Sequence, residues 1–126
     1  MKTEMFNKLF EEQVCACSAT LIKKAKEYAT EDRLHNFKVA AELQGITPQA
    51  ALAGMMAKHT VSVYDLCNGP RMLLSHWEEK ITDHINYLIL LKAIVVERNL
   101  ELADRNQDQA EMPATVVKGF KEKCFA

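Results

Sequence analysis

Glu79, Asp83 and Asn86 recur at i, i+4 and i+7, and at about 100° per residue that spacing stacks them on one stripe of a helix. The next positions on the stripe are Leu90 and Ala93, so it reads as heading into protein rather than out to water. Trp77, Ile81, Ile85, Leu88 and Leu91 fill the other sides, as on a helix with little solvent-facing surface. Two carboxylates on so apolar a helix are costly to desolvate unless paired or bound to a cation. The chemistry that such a stripe suits is holding a metal ion. A second stripe, Lys58, Ser62 and Asp65, repeats the spacing one segment earlier. If the two segments pair antiparallel, Lys58 or Asp65 faces the acids. An interhelical salt bridge is the plainer reading of that pairing, worth little when exposed and hard to interpret when buried. Spacing alone leaves both readings open.

A third group lies nearer the N-terminus. Glu27 and Tyr28 end a stretch rich in lysine and immediately precede Arg33, His35 and Asn36. A guanidinium, an amide and an aromatic ring beside carboxylates suit phosphate and a base; the alternative is that Arg33 caps a turn and Phe37 enters the core. Glu11-Glu12 reads as a solvated face, and His59, on an apolar face, as a core histidine. There is no HExxH pair, no GxSxG and no glycine-rich phosphate loop, so zinc proteolysis and serine hydrolysis are not supported.

Three long helices must position these groups. The first is expected over about 3–28, where Phe6, Leu9, Phe10, Gln13, Cys17 and Leu21 follow steps of three and four. The second opens at Thr47-Pro48, an N-cap followed by proline, and stops at Asn68-Gly69-Pro70. The third opens at Ser75, with Glu78 completing a capping box, and runs to about Asp104. Between the first two, a turn and a short helix ending at Gly45 are expected. Residues 1–104 read as a single helical domain, and 105–126 as a polar tail or arm. Phe6, Leu9, Phe10, Val95 and Val96 exceed what so few helices can cover, which points to a homo-oligomer.

Composition narrows the classes further. The chain has 126 residues, 48% hydrophobic and 26% charged, with a formal net charge of −1. A general nucleic-acid binder or a binder of anionic membranes finds no support in that charge. The opening segment carries acids on an amphipathic pattern and reads as neither signal nor transit peptide. The apolar run from Leu88 to Val96 is too short to span a bilayer. Cys15, Cys17, Cys67 and Cys124 form no CxxC pair and read as reduced thiols of a cytoplasmic protein.

Three segments together carry a resemblance. KAKEYATEDRLHNF resembles the K-x-x-[DE]-Y-G … N-F opening of a helical domain common in phages and prophages, the nucleotide-modification-associated domain. AKHTVSVYDLC resembles its K-[HR]-x-x-[RS] segment, and WEEKITDHINYLILL its E-x-x-x-D-x-x-N-Y helix. That domain is in turn similar to the MazG-like, all-α NTP pyrophosphatase superfamily, whose members bind magnesium and cleave nucleoside triphosphates to monophosphate and pyrophosphate. The resemblance implies an all-α, MazG-like helical bundle completed by oligomerisation, in a bacterial host cell. It implies a Mg2+ role for Glu79 and Asp83, with Glu27 and Asp65 as further ligands. Lys58 would face phosphate, and Asn86, with Tyr87 beside it, would orient the base. The superfamily's EExxE is absent, the acid pair is ExxxD rather than ExxD, and Ala29 stands where glycine is usual. The expectation is therefore a magnesium-dependent nucleotide pyrophosphohydrolase or nucleotide-processing accessory. Its rivals are a phage protein that binds nucleotide without cleaving it, sequestering a defence signal or inhibiting a host factor, and a helical protein-interaction domain.

Overall fold

A computed structural model describes residues 1–28 and 30–106, apart from the side chain of Tyr28. The expected arm at 105–126 lies, from 107 onward, outside the described residues. The described residues form an all-α bundle of four helices: α1 (Thr3–Tyr28), α2 (His35–Gln44), α3 (Pro48–Asn68) and α4 (Leu74–Asn106).

Local chemistry sets most of the boundaries. The Thr47 hydroxyl accepts from the Ala50 N–H at 3.2 Å, and Pro48 opens α3, so one orphan donor is satisfied and a missing one is harmless. At the end of α2, Gly45 takes φ 65° while the Ile46 N–H returns to the Ala41 carbonyl at 3.0 Å. That left-handed cap favours a residue without a Cβ. One boundary differs from expectation. The first helical residue of α4 is Leu74, and the His76 N–H already bonds to the Leu73 carbonyl at 3.1 Å. Ser75 is therefore inside the helix and does not serve as its N-cap.

The hairpin of α3 and α4 is the centre of the molecule. Gln49, early in α3, accepts from Arg98 of α4 at 3.4 Å, whereas His59, later in α3, meets Tyr87, earlier in α4. The two helices are thus antiparallel, as the matched stripes require. Leu34, Phe37, Leu52 and Ile94 form the core, with Met55, Met56, Leu90 and Leu91 packed around them. Leu52 is the one side chain among the described residues with no exposed area. Helix α2 packs on α3, and α1 packs on α4. No helix of the described residues is long and apolar enough to cross a membrane.

Candidate functional site

Because α1 rests on α4 and α2 on α3, α1 and α2 do not pack against each other. The space left between them is a cleft of about 330 Å³, floored by α3 and α4. That volume falls within the range of small-molecule sites. Lys24 of α1, Arg33 of the α1–α2 turn and Lys58 of α3 line it, and Asp83 is the one carboxylate that does. Among the described residues none of these three cations is in an ion pair; the pairs formed are Lys8–Glu12, Lys38–Asp32 and Lys38–Glu97.

The turn that presents Arg33 is tied down from two sides. The Asp32 carboxylate accepts from the Leu34 N–H at 3.0 Å and from Lys38 Nζ at 2.6 Å, and the same Nζ reaches Glu97 of α4 at 3.0 Å. The Lys38 hydrogen bond is the main cause that holds Asp32 below the ordinary carboxylate value, helped by the Leu34 N–H. In return Lys38 is raised, chiefly by its bond to Asp32 and then by Glu97. Leu34 and Phe37 plunge into the core on either side of Asn36, which fixes the start of α2 against the cleft.

The far wall is aromatic and amide. The rings of His59 and Tyr87 lie 4.7 Å apart, tilted by 37°, and both line the cleft with Asn86. Burial pushes the His59 imidazole below its ordinary value; Asp83 opposes this, and Lys58, Lys80 and His84 add to it. A neutral imidazole leaves three cations facing one carboxylate. Asn86 is 5% exposed, and neither its Nδ2 nor its Oδ1 has a hydrogen-bond partner.

A second groove, about 440 Å³, lies between α1 and α4 and shares Thr20, Lys24 and Asp83 with the first. Glu27, Glu78 and Glu79 line it alongside Lys23. Asp83 therefore stands at the junction of a cationic cleft and a mixed groove.

The residues picked out by spacing and resemblance divide accordingly. Arg33, Asn36, Lys58, Asp83, Asn86 and Tyr87 meet in the cleft, and Glu27 and Glu79 join Asp83 in the groove. His35, at the exposed start of α2, and Asp65, exposed on α3, line neither. The desolvation expected along the acidic stripe is uneven. Glu79 and Ala93 are exposed, Asp83 is half-buried, and Asn86 alone is buried. The costly buried polar group is thus the amide rather than the carboxylates. Two ionisable lining residues were not expected from the sequence. Lys24 opens the segment KAKEY, which was its available signal, but reads locally as a charge complementing the helix dipole. His59 reads as core because it shares a stripe with Met55, Met56 and Val63.

Among the described residues no three His, Cys, Asp or Glu side chains converge closely enough to hold a metal ion by themselves. Magnesium asks for less, since it is usually bound by one or two carboxylates together with substrate phosphates. Asp83 and Glu79 fit that smaller demand. Comparison with family models, with curated proteins and with solved structures finds no match to this chain.

Proposed function

We propose that this protein binds a nucleoside di- or triphosphate in the cleft between α1 and α2, over α3 and α4. The observation that carries the reading is the convergence of Lys24, Arg33 and Lys58, none of them ion-paired, on one cleft that also holds a histidine–tyrosine pair. Unneutralised guanidinium and ammonium groups suit phosphate oxygens, and charge-assisted bonds to them are about twice as strong as neutral ones. The resemblance to the nucleotide-modification-associated domain, and through it to the MazG-like superfamily, points the same way.

In this reading Asp83 and Glu79 would hold a magnesium ion together with the ligand's phosphates. Bound there, the ion would polarise phosphorus–oxygen bonds and lower the pKa of a water, which is the chemistry of pyrophosphohydrolysis. Lys58 and Arg33 neutralise the remaining phosphate oxygens, Asn36 and Tyr87 line the ligand's flank, and Glu27 stands one groove away. One observation favours a second reading, binding without cleavage. Lys23 and Lys24 share the groove with the carboxylates, and cations there compete with a metal for them. Titration with nucleoside triphosphates in the presence of magnesium, followed by assay of pyrophosphate release, separates the two. Binding with release supports the hydrolase, binding alone supports a nucleotide-sequestering protein of phage type, and neither refutes the site.

The place of action that goes with this chemistry is the cytoplasm of a bacterial host. The same reading includes self-association. On α1 the stripe that α4 covers at Gln13 and Cys17 continues uncovered through Phe10, Phe6 and Lys2, and a second copy of the chain is its occupant.

A further inference from the structure

From Ile94 onward, α4 carries a stripe that no other helix of the described residues covers. Ile94, Glu97, Arg98, Glu101, Leu102 and Arg105 follow steps of three and four, which puts them on one face. They form one wall of a groove of about 500 Å³. The end of α2 and the α2–α3 turn, with Ala41, Glu42 and Ile46, form the other wall, because α2 packs on α3 and not on α4. Helix α3 starts level with Arg98, which meets Gln49, so the end of α4 runs on past it. Leu100 and Leu102 on that stretch stay 37% and 45% exposed. A helix end without tertiary packing is marginal in water, so this surface lacks a cover.

The charges of the groove are unbalanced. Lys38 is engaged by Asp32 and Glu97, and Arg98 by Gln49. Among the described residues Glu42 and Glu101 form no ion pair. The last turn of α2 has no basic residue, so the negative end of its dipole adds to Glu42. Arg105 is the one lining cation not already engaged. The groove therefore suits an apolar segment that carries positive charge.

We propose that the segment 107–126 of the same chain occupies this groove, with Val116, Val117 and Phe120 against its apolar floor and Lys118 and Lys121 against Glu42 and Glu101. That segment lies outside the described residues, which end at Asn106, next to the groove residue Arg105. From Ile94 to Arg105 the groove follows α4 for roughly 16 Å. Residues 107–115 span up to about 30 Å when extended, enough to turn back along it. VVKGFKEK, at 116–123, brings three lysines and one glutamate together with three apolar side chains, the complement of the groove. Tethering favours this segment over a free peptide of like composition, since a short linker holds its end at about millimolar effective concentration. The seated segment also shields the Lys38–Glu97 pair from solvent, which lessens its screening.

Amide hydrogen exchange on the full chain tests the docking. In the wild type, residues 116–123 should exchange roughly tenfold more slowly than a synthetic peptide of the same sequence. Leu102→Asp in the groove and Phe120→Ser in the segment should each abolish that protection. So should the paired reversals Glu42→Lys with Glu101→Lys, or Lys118→Glu with Lys121→Glu, whereas all four together should restore it, which a folding defect would not do. Exchange in the wild type as fast as in the peptide would overturn the proposal. Protection that survives Leu102→Asp places the segment elsewhere and overturns it too, as does a fourfold variant that recovers nothing. Mixing Leu102→Asp chains with Phe120→Ser chains separates docking within one chain from docking between copies. The mixture should stay unprotected, and recovered protection would mean that the segment seats on a second copy, against the proposal.

Discussion

At the scale of single residues, charge and burial make separable predictions. Lys58 is exposed and unpaired among the described residues, so Lys58→Met should leave the melting temperature nearly unchanged. Affinity for inorganic triphosphate should fall by roughly tenfold, the size of a charge-assisted hydrogen bond. Unaltered affinity in calorimetric titration would remove Lys58 from the site. His59 gives a pH signature. Its value in the fold is depressed below 6.5 by burial, so the unfolded chain takes up the proton first. The stabilisation it gives is complete above 6.5 and is lost as pH falls through the depressed folded value. His59→Phe keeps a ring against Tyr87 without a titrating group, and its melting temperature should fall less than that of the wild type between about pH 7.5 and 5.5. Identical slopes would refute the assignment. Three polar cleft residues were legible in spacing: Lys58, Asp83 and Asn86 lie on stripes that turn toward a neighbouring helix. Glu79 was misjudged because a helical stripe gives direction, not how far the neighbouring helix reaches. Its carboxylate falls where α1 leaves it to solvent.

At the scale of elements, the cleft depends on a connection that no local pattern announces. Thr47, Pro48, Gly45 and Asn68-Gly69-Pro70 mark helix ends through their own backbone preferences, so those bounds were readable residue by residue. Thr47→Ala should accordingly cost about 1 kcal/mol in a urea melt, and a loss near zero would mean that the cap bond is idle. The Asp32–Lys38–Glu97 bridge joins the α1–α2 turn to a distant part of α4, and only folding brings those partners together. Each of the three is more than a third exposed or close to it, so solvent screens the pairs and their value is chiefly positional. Lys38→Met should loosen the turn and weaken inorganic triphosphate binding, although Lys38 lines a different cavity from the one that takes the ligand. The bridge also fixes a pH window. Stabilisation from Asp32 is present above 3.8 and is lost as pH falls through its depressed value. That from Lys38 is present below 10.5 and is lost as pH rises through its raised value. The variant should therefore show shallower losses at both extremes than the wild type. Unchanged triphosphate affinity would show that Leu34 and Phe37 alone hold the turn.

At the scale of the whole molecule, the bundle looks incomplete on one side. Only seven hydrophobic residues are buried among the described residues, whereas Phe6 and Phe10 are 56% and 58% exposed, with Met5 and Leu9 beside them. Phe6, Leu9 and Phe10 share the face of α1 that α4 covers at Cys17 and Gln13, so the uncovered patch continues an existing packing surface. Contiguous apolar patches of this kind mark interaction sites. Two α1 helices crossing antiparallel would set Phe6 and Phe10 of each against the same residues of its mate. A two-fold contact of that form is self-complementary and closed. Phe6 and Phe10 were expected at an interface because the apolar residues exceed what so few helices cover; Val95 is also exposed, whereas Val96 is half-buried, because such a surplus does not say which residues a neighbouring helix covers. Light scattering at micromolar protein should return about twice the chain mass of 14.3 kDa. The doubly substituted Phe6→Glu, Phe10→Glu protein should return the single-chain mass with its helical circular dichroism intact. Such a monomer should bind inorganic triphosphate as the wild type does, since neither residue lines the cleft. A wild type that scatters as one chain would refute self-association. A dimer that survives both substitutions would move the interface to Leu88, Ile89 and Val95, which are among the exposed apolar residues of α4.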